Sequence, residues 1–270
     1  MQDAEFHNDK GRAAGLLKPL MPLLATAYGL AVIYVTALPL DGDNPGVVDE
    51  MLTWLLSLAA IGLTLLLVHR VEPKVFPVAR QFPLRWPKVS IVGLLLLAPL
   101  LMVVKEYLVL GITSQMHPVA LEPMSCTAAE LREDLLSGVH AVLLAPVLEE
   151  LCFRQLAISP FRRRGAQVAV CVLMAILFGI LHVRNFPGAF ISGLFYGLVF
   201  VWSRSIWCSV VLHAGSNLSA TLLAVYSWLQ LGDVQTTRLP VIFLPDTKFI
   251  VGGVALAAVG LVLLMRKKKE

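Results

Sequence analysis

Three short groups of residues place ionisable or strongly polar side chains inside long apolar runs. The first lies in AVLLAPVLEELCFRQLAIS, where Glu149 and Glu150 are adjacent and Arg154 follows Glu150 by four positions. On a helix, residues i and i+4 share a face, so Glu150 and Arg154 can pair. Glu149 is turned about 100° away and has no partner from its own helix. Pro146, just upstream, removes a backbone hydrogen bond and can kink the segment. The second group is Phe178 and His182, again four apart, so a ring can pack beside the imidazole. The third is His213 and Asn217, which share a face with Ala214, Gly215 and Ser216 between them.

Each group alone has a plainer reading. The Glu150–Arg154 pair is also what a structural ion pair between helices looks like. His182 suits an interfacial position, and His213 with Asn217 suits hydrogen bonding between helices. Together they supply a carboxylate, two imidazoles and an amide on three helices. That is the inventory for water-dependent acyl chemistry: a base, a proton handler and donors for an oxyanion. Ionisable groups within an apolar span are expensive to keep, which makes them functional candidates.

The elements that carry these groups are membrane spans. The chain has 270 residues, 57% hydrophobic and only 15% charged, and its mean hydropathy is +0.77. Soluble domains carry about 25% charged residues. Crossing a hydrocarbon core takes about 20 helical residues. Eight segments qualify: Leu20–Leu40, Val48–His69, Ser90–Ile112, Leu135–Ser159, Ala166–His182, Gly188–Ser203, Ile206–Leu229 and Phe249–Met265. The first 18 residues are polar, and the apolar run after them is long for a signal peptide, so it reads as a retained span. Gly193 and Gly197 in the sixth span form a small-xxx-small pattern that lets a neighbouring helix come close.

With the N-terminus in the cytoplasm, the inside loops collect most of the basic residues, including Arg162–Arg164, Arg204 and Arg266–Lys269. The outer loops hold Arg132, Arg184, Arg238 and Lys248 beside acidic residues such as Asp41, Asp43, Asp49 and Glu50. The positive-inside rule therefore gives an all-α polytopic membrane protein of about eight transmembrane helices with N and C termini cytoplasmic. It also explains the net charge of +4 without nucleic acid as a partner. Val71–Val89, rich in proline, reads as an interfacial stretch. Thr113–Asp134 is expected to include a short surface helix near Thr127–Asp134, where Thr127 and Glu130 resemble a capping box. Cys126, Cys152, Cys171 and Cys208 include no CxxC pair, so neither a disulfide framework nor a zinc ribbon is expected. No repeat or linker divides the chain, so residues 1–270 read as one domain.

In order and spacing, Glu149-Glu150-x-x-x-Arg154, Phe178-x-x-x-His182 and His213-x-x-x-Asn217 resemble the three motifs of the CAAX prenyl endopeptidase and bacteriocin-processing (CPBP, ABI) family of intramembrane proteases. The resemblance covers about 135–223. It implies that Glu149 is the general base that activates water, assisted by His182, and that His213 and Asn217 stabilise the oxyanion. Glu150, Arg154 and Phe178 would shape the site. The implied mechanism needs no cofactor; the alternative is Zn2+ held by Glu149, His182 and His213, although no HExxH is present. The implied partners are a peptide or protein substrate at the membrane, including a lipid-modified one, and the bilayer itself. The implied location is a prokaryotic inner membrane, with the site opening to the cytoplasm. Two other classes compete: a non-catalytic scaffold or bacteriocin-immunity protein on the same fold, and a transporter, which would show broken helices in paired halves.

Depth sets one condition on this assembly. Glu149 lies about 15 Å, and His213 about 10 Å, from the cytoplasmic ends of their spans. His182 is some 16 residues from the start of its own. The first turns of that helix, around Ala166–Ala169, are therefore expected to project into the cytoplasm. His140, nine residues before Glu149, falls on nearly the opposite face of a straight helix and reads as packing. Lys105 reads as snorkelling to the interface.

Overall fold

The structure, a computed structural model, describes residues 17–37, 47–71, 84, 86, 90–116, 128–182, 185–231, 251, 254–256 and 258–260. Among these, all regular structure is helical: α1 (Met21–Ala37), α2 (Val47–Leu66), α3 (Ile91–Met116), α4 (Ala128–Leu143), α5 (Ala145–Glu150), α6 (Arg164–Leu181), α7 (Phe186–Ser203) and α8 (Ile206–Leu231). π-helical turns extend α2 over Leu67–Val71 and α5 over Leu151–Leu156. The eighth expected span is described only at a few helical residues, where Gly260 lies against Gly93 and Leu96 of α3. Most of Val71–Val89 lies outside the described residues. Among the described residues, the short helix expected near Thr127–Asp134 is the first part of α4, which runs unbroken from Ala128 to Leu143.

The chain is inside-out relative to a soluble protein. Glu150, Arg154, Gln155, Gln167 and Ser209 are buried, while Leu23, Tyr34, Leu55, Trp202 and Leu222 are exposed. Water would penalise that surface and hydrocarbon would not. Five helical segments, Lys18–Thr36, Val48–Val71, Leu135–Leu156, Arg164–Leu181 and Phe186–Ser203, are long and apolar enough to cross a membrane. Ile91–Lys105 is a shorter apolar stretch. The protein is thus an all-α polytopic membrane protein.

The span that carries the two glutamates is not one regular helix. Pro146 sits in the first turn of α5, and Leu144 just before it has φ −106° and ψ −48°. Proline lacks the N–H that would bond the carbonyl four residues back, and its ring crowds that carbonyl. The helix therefore restarts at Ala145. Beyond Glu150 it widens into the π-helical turn, which packs against α1, where Gly29 lies on the Phe153 ring.

The tightest helix pair is α6–α7, as the two glycines of the sixth span anticipate. A methyl group on Gly193 would stand 3.3 Å from Ala175 Cα and Phe178 Cδ1, and 3.4 Å from Arg154 Nη2. One on Gly197 would run into Cys171 Sγ. α7 closes on Arg204, whose left-handed φ of 54° lets its N–H bond Phe200 O at 2.9 Å. α8 then returns against α3, α4 and α7. Substituting Gly193→Val should lower stability by about 1–3 kcal/mol, the usual penalty of overpacking, read as a fall in Tm of the detergent-solubilised protein. An unchanged Tm would mean that α6 and α7 do not meet at this glycine.

Candidate active site

The site is built around one buried charge pair. Glu150 is 0% and Arg154 1% exposed, and Glu150 Oε1 lies 3.2 Å from Arg154 Nη1. Two ions this deep lose their hydration, and further polar contacts offset part of that cost; Glu150 Oε2 has no hydrogen-bond partner among the described residues. Arg154 Nη2 donates to the carbonyl of Gly193 on α7 at 3.1 Å. The guanidinium carbon lies 4.9 Å from the centre of the Phe178 ring on α6, in cation–π contact. Glu150 Oε1 also accepts from His213 Nδ1 on α8 at 3.0 Å. One arginine and one carboxylate therefore gather three other helices.

His213 stands between the two glutamates. Its Nε2 lies 3.8 Å from Glu149 Oε2, while Nδ1 faces Glu150. The ring is fixed by stacking on Tyr196 of α7, centroids 4.6 Å apart and planes 21° apart. The Phe178 ring adds an edge contact at 6.3 Å.

The adjacent glutamates thus sit in different surroundings. Glu150 is sealed among ions, whereas Glu149 keeps 15% of its side chain exposed and lines a partly open cavity of about 140 Å³. That split follows from the 100° rotation between neighbouring helical residues.

His182 joins through Phe178. Their rings are 4.4 Å apart, and His182 Nδ1 donates to the Phe178 carbonyl at 2.8 Å. That bond sets Nδ1 as the protonated nitrogen and leaves Nε2 as the acceptor in a neutral ring. His182 is exposed at the C-cap of α6. Phe178 comes fourteen residues after Arg164 along α6, yet reaches Arg154, which is only five residues before Ser159. At 1.5 Å per residue, α6 must tilt against the preceding helix or start well below it.

Asn217 Nδ2 donates to the carbonyl of Ala141 on α4 at 2.7 Å. That carbonyl stands just before the break ahead of Pro146, where broken spans rely on neighbouring side chains to satisfy freed backbone groups. One of the two amide hydrogens is committed there and the other remains.

Tyr196 and His140 are neighbours that the sequence reading left without a role. Tyr196 carried no signal beyond a polar tip in an apolar span. His140 was assigned to packing on the geometry of a straight helix; the break at Leu144 brings it into the same cavity as Glu149, where its Nε2 is 2.9 Å from Ser57 Oγ of α2. Lys105 lines a second cavity, beside Tyr196, Ser192 and Ser216. No group of three or more His, Cys, Asp or Glu is arranged to hold a metal ion among the described residues.

Comparison with known proteins finds one family match over the region that carries these residues. Residues 132–219 match the sequence profile of the Rce1-like family, type II CAAX prenyl endopeptidase. No curated protein and no solved structure matches the chain significantly. The matched residues include Glu149, Glu150, Arg154, Phe178, His182, His213 and Asn217, and end short of the C-terminal end of α8. Over these residues, set among helices that precede and follow them, the chain is similar to the CAAX protease family.

Proposed function

We propose that the protein is an intramembrane endopeptidase that hydrolyses a peptide bond in a membrane-associated substrate, including lipid-modified ones, by glutamate-activated water. The observation that carries this is the unequal placing of the two glutamates: Glu150 sealed against Arg154, Glu149 at a cavity with an imidazole beside it. Two neighbouring carboxylates in such different environments are suited to different roles.

In the proposed reaction Glu149 takes a proton from water as the oxygen attacks the carbonyl carbon. The tetrahedral intermediate carries its negative charge on the former carbonyl oxygen. His213 Nε2, when protonated, and the free amide hydrogen of Asn217 donate to that oxygen. Collapse breaks the C–N bond, and the proton taken by Glu149 passes to the leaving amine. His182, with Nε2 unbonded by the Phe178 carbonyl, assists the proton transfers. Glu150 and Arg154 hold the His213 ring at the angle this requires. No step runs through a metal ion; the alternative in which Glu149, His182 and His213 bind Zn2+ is decided by chelation. The family resemblance and compact loops support a prokaryotic plasma membrane, and the loop charges support substrate access from the cytoplasm. The second reading, a scaffold or immunity protein on this fold, has no use for a Glu149 that lines a cavity with a histidine beside it.

Purified protein should cleave members of a library of membrane-tethered and lipid-modified peptides. Glu149→Gln and Glu149→Ala should each lower kcat by about 10²–10⁴-fold, the range of a general base, and a zinc chelator should leave wild type unaffected. Loss of activity to the chelator with recovery on adding zinc would replace the metal-free mechanism. No cleavage by wild type, with both variants complementing a deletion strain, would establish the scaffold. Arg154→Ala should behave differently, destabilising the fold by about 3–5 kcal/mol because Glu150 is left buried without its partner. Glu149→Gln should keep the wild-type Tm, and equal losses of Tm in the two variants would refute the division of roles. His182→Ala, at an exposed position, should lower kcat without lowering Tm.

A further inference from the structure

Each turnover of the proposed reaction consumes one water, and Glu149 is surrounded by helices whose outer faces suit lipid. A supply route is therefore a physical requirement of that reading, and the inference below rests on it. The cavity beside Glu149 lies between α1, α2, α4 and α5. At roughly 30 Å³ per molecule it has room for about five waters. Its walls carry Thr36 near the end of α1, Glu50, Thr53 and Ser57 along the N-terminal half of α2, His140 on α4 and Glu149 on α5.

Ile33, Ala145 and Leu148 complete a wall that is largely apolar, and the polar side chains are set into it. Thr53 is 3% exposed, and its hydroxyl has no hydrogen-bond partner in the protein among the described residues. A buried hydroxyl left unbonded costs about 1–3 kcal/mol, and the usual remedy in a polar cavity is ordered water. Ser57, 1% exposed, meets His140 across the cavity wall. On α2, the residues beside Thr53 and Ser57 on the other face are Leu55 and Leu58, both exposed. Polar residues line the inner face and apolar ones the outer, at helical spacing. Thr36 and Glu50 lie near the ends of α1 and α2 that meet at one membrane face, the face opposite the N-terminus.

We propose that this cavity is the path by which water reaches Glu149 from the membrane face where α1 ends and α2 begins. Ser57 and His140 are its positioning residues, holding α2 and α4 at the width of a water file. The substrate and the water would then approach Glu149 from different sides.

The test reads hydration independently of proteolysis. In a background with Cys126, Cys152, Cys171 and Cys208 replaced by alanine, Thr53→Cys and Leu58→Cys are reconstituted in vesicles and exposed to a membrane-impermeant cationic methanethiosulfonate. Thiols react as thiolates, which need water. Thr53→Cys should label at least about tenfold faster than Leu58→Cys, and only from the side opposite the N-terminus. Equal slow labelling at both positions, or labelling of Thr53→Cys only from the N-terminal side, overturns the route. In the native-cysteine chain, Ser57→Leu should obstruct the cavity and lower kcat about tenfold with KM unchanged. A wild-type kcat in a folded Ser57→Leu protein also overturns it. If Thr53→Cys labels as expected while wild type cleaves no substrate, the glutamate-protease reading falls, and the role of the cavity as a supply of reacting water falls with it.

Discussion

Burying a guanidinium and a carboxylate together constrains everything around them. Each ion loses its hydration at that depth and needs partners in exchange, so the surrounding helices deliver acceptors and donors at fixed places. Gly193 has no side chain to block Arg154 from the α7 carbonyl. Phe178 supplies a π face rather than an aliphatic one. His213 gives its Nδ1 to Glu150 and is thereby oriented with Nε2 toward Glu149. A lysine at position 154 could not reproduce this, because its ammonium lacks the planar fork that reaches a carboxylate and a carbonyl at once. The pair is stabilising only in the sense that removing half of it is costly. Its positive contribution is specification: the contacts of Arg154 with Gly193 and Phe178 and of Glu150 with His213 hold α5, α6, α7 and α8 in one relative placement.

The seven candidate residues stand out by their spacing, because polar groups in a lipid environment are conspicuous. Glu149, Glu150, Arg154, His182, His213 and Asn217 interrupt runs that are otherwise apolar, and i, i+4 offsets put pairs of them on common faces. The helices were legible for the same reason, and seven of the eight expected spans fall on described helices. Departures from ideal helix geometry were not legible. Pro146 signalled a kink, but neither its size nor the π-helical turn at Leu151–Leu156 follows from local sequence, since both depend on what packs alongside. His140 shows the consequence. Nine residues of ideal helix carry it to the face opposite Glu149, and one interrupted turn undoes that count. The hydrogen bond from Asn217 to Ala141 was equally hidden, because it answers a backbone carbonyl beside a break that the sequence only hinted at.

The broken span ties the two halves of the proposed mechanism together. An unbroken helix over Leu135–Ser159 would satisfy its own backbone and present either the His140 face or the Glu149 face to a given neighbour. Interrupted at Leu144, it presents both to α2, so the cavity and the carboxylate belong to one space. The same interruption leaves a carbonyl for Asn217, which ties α8 to α4 and keeps His213, one turn earlier on α8, at the level of the glutamates. π-helical turns inside α-helices occur disproportionately at functional sites, and here the turn begins directly after Glu150 and includes Arg154. A span optimised only for stability would contain neither feature. On the proposed function, both serve one requirement: a carboxylate that must meet water has to remain beside a charge pair that must not.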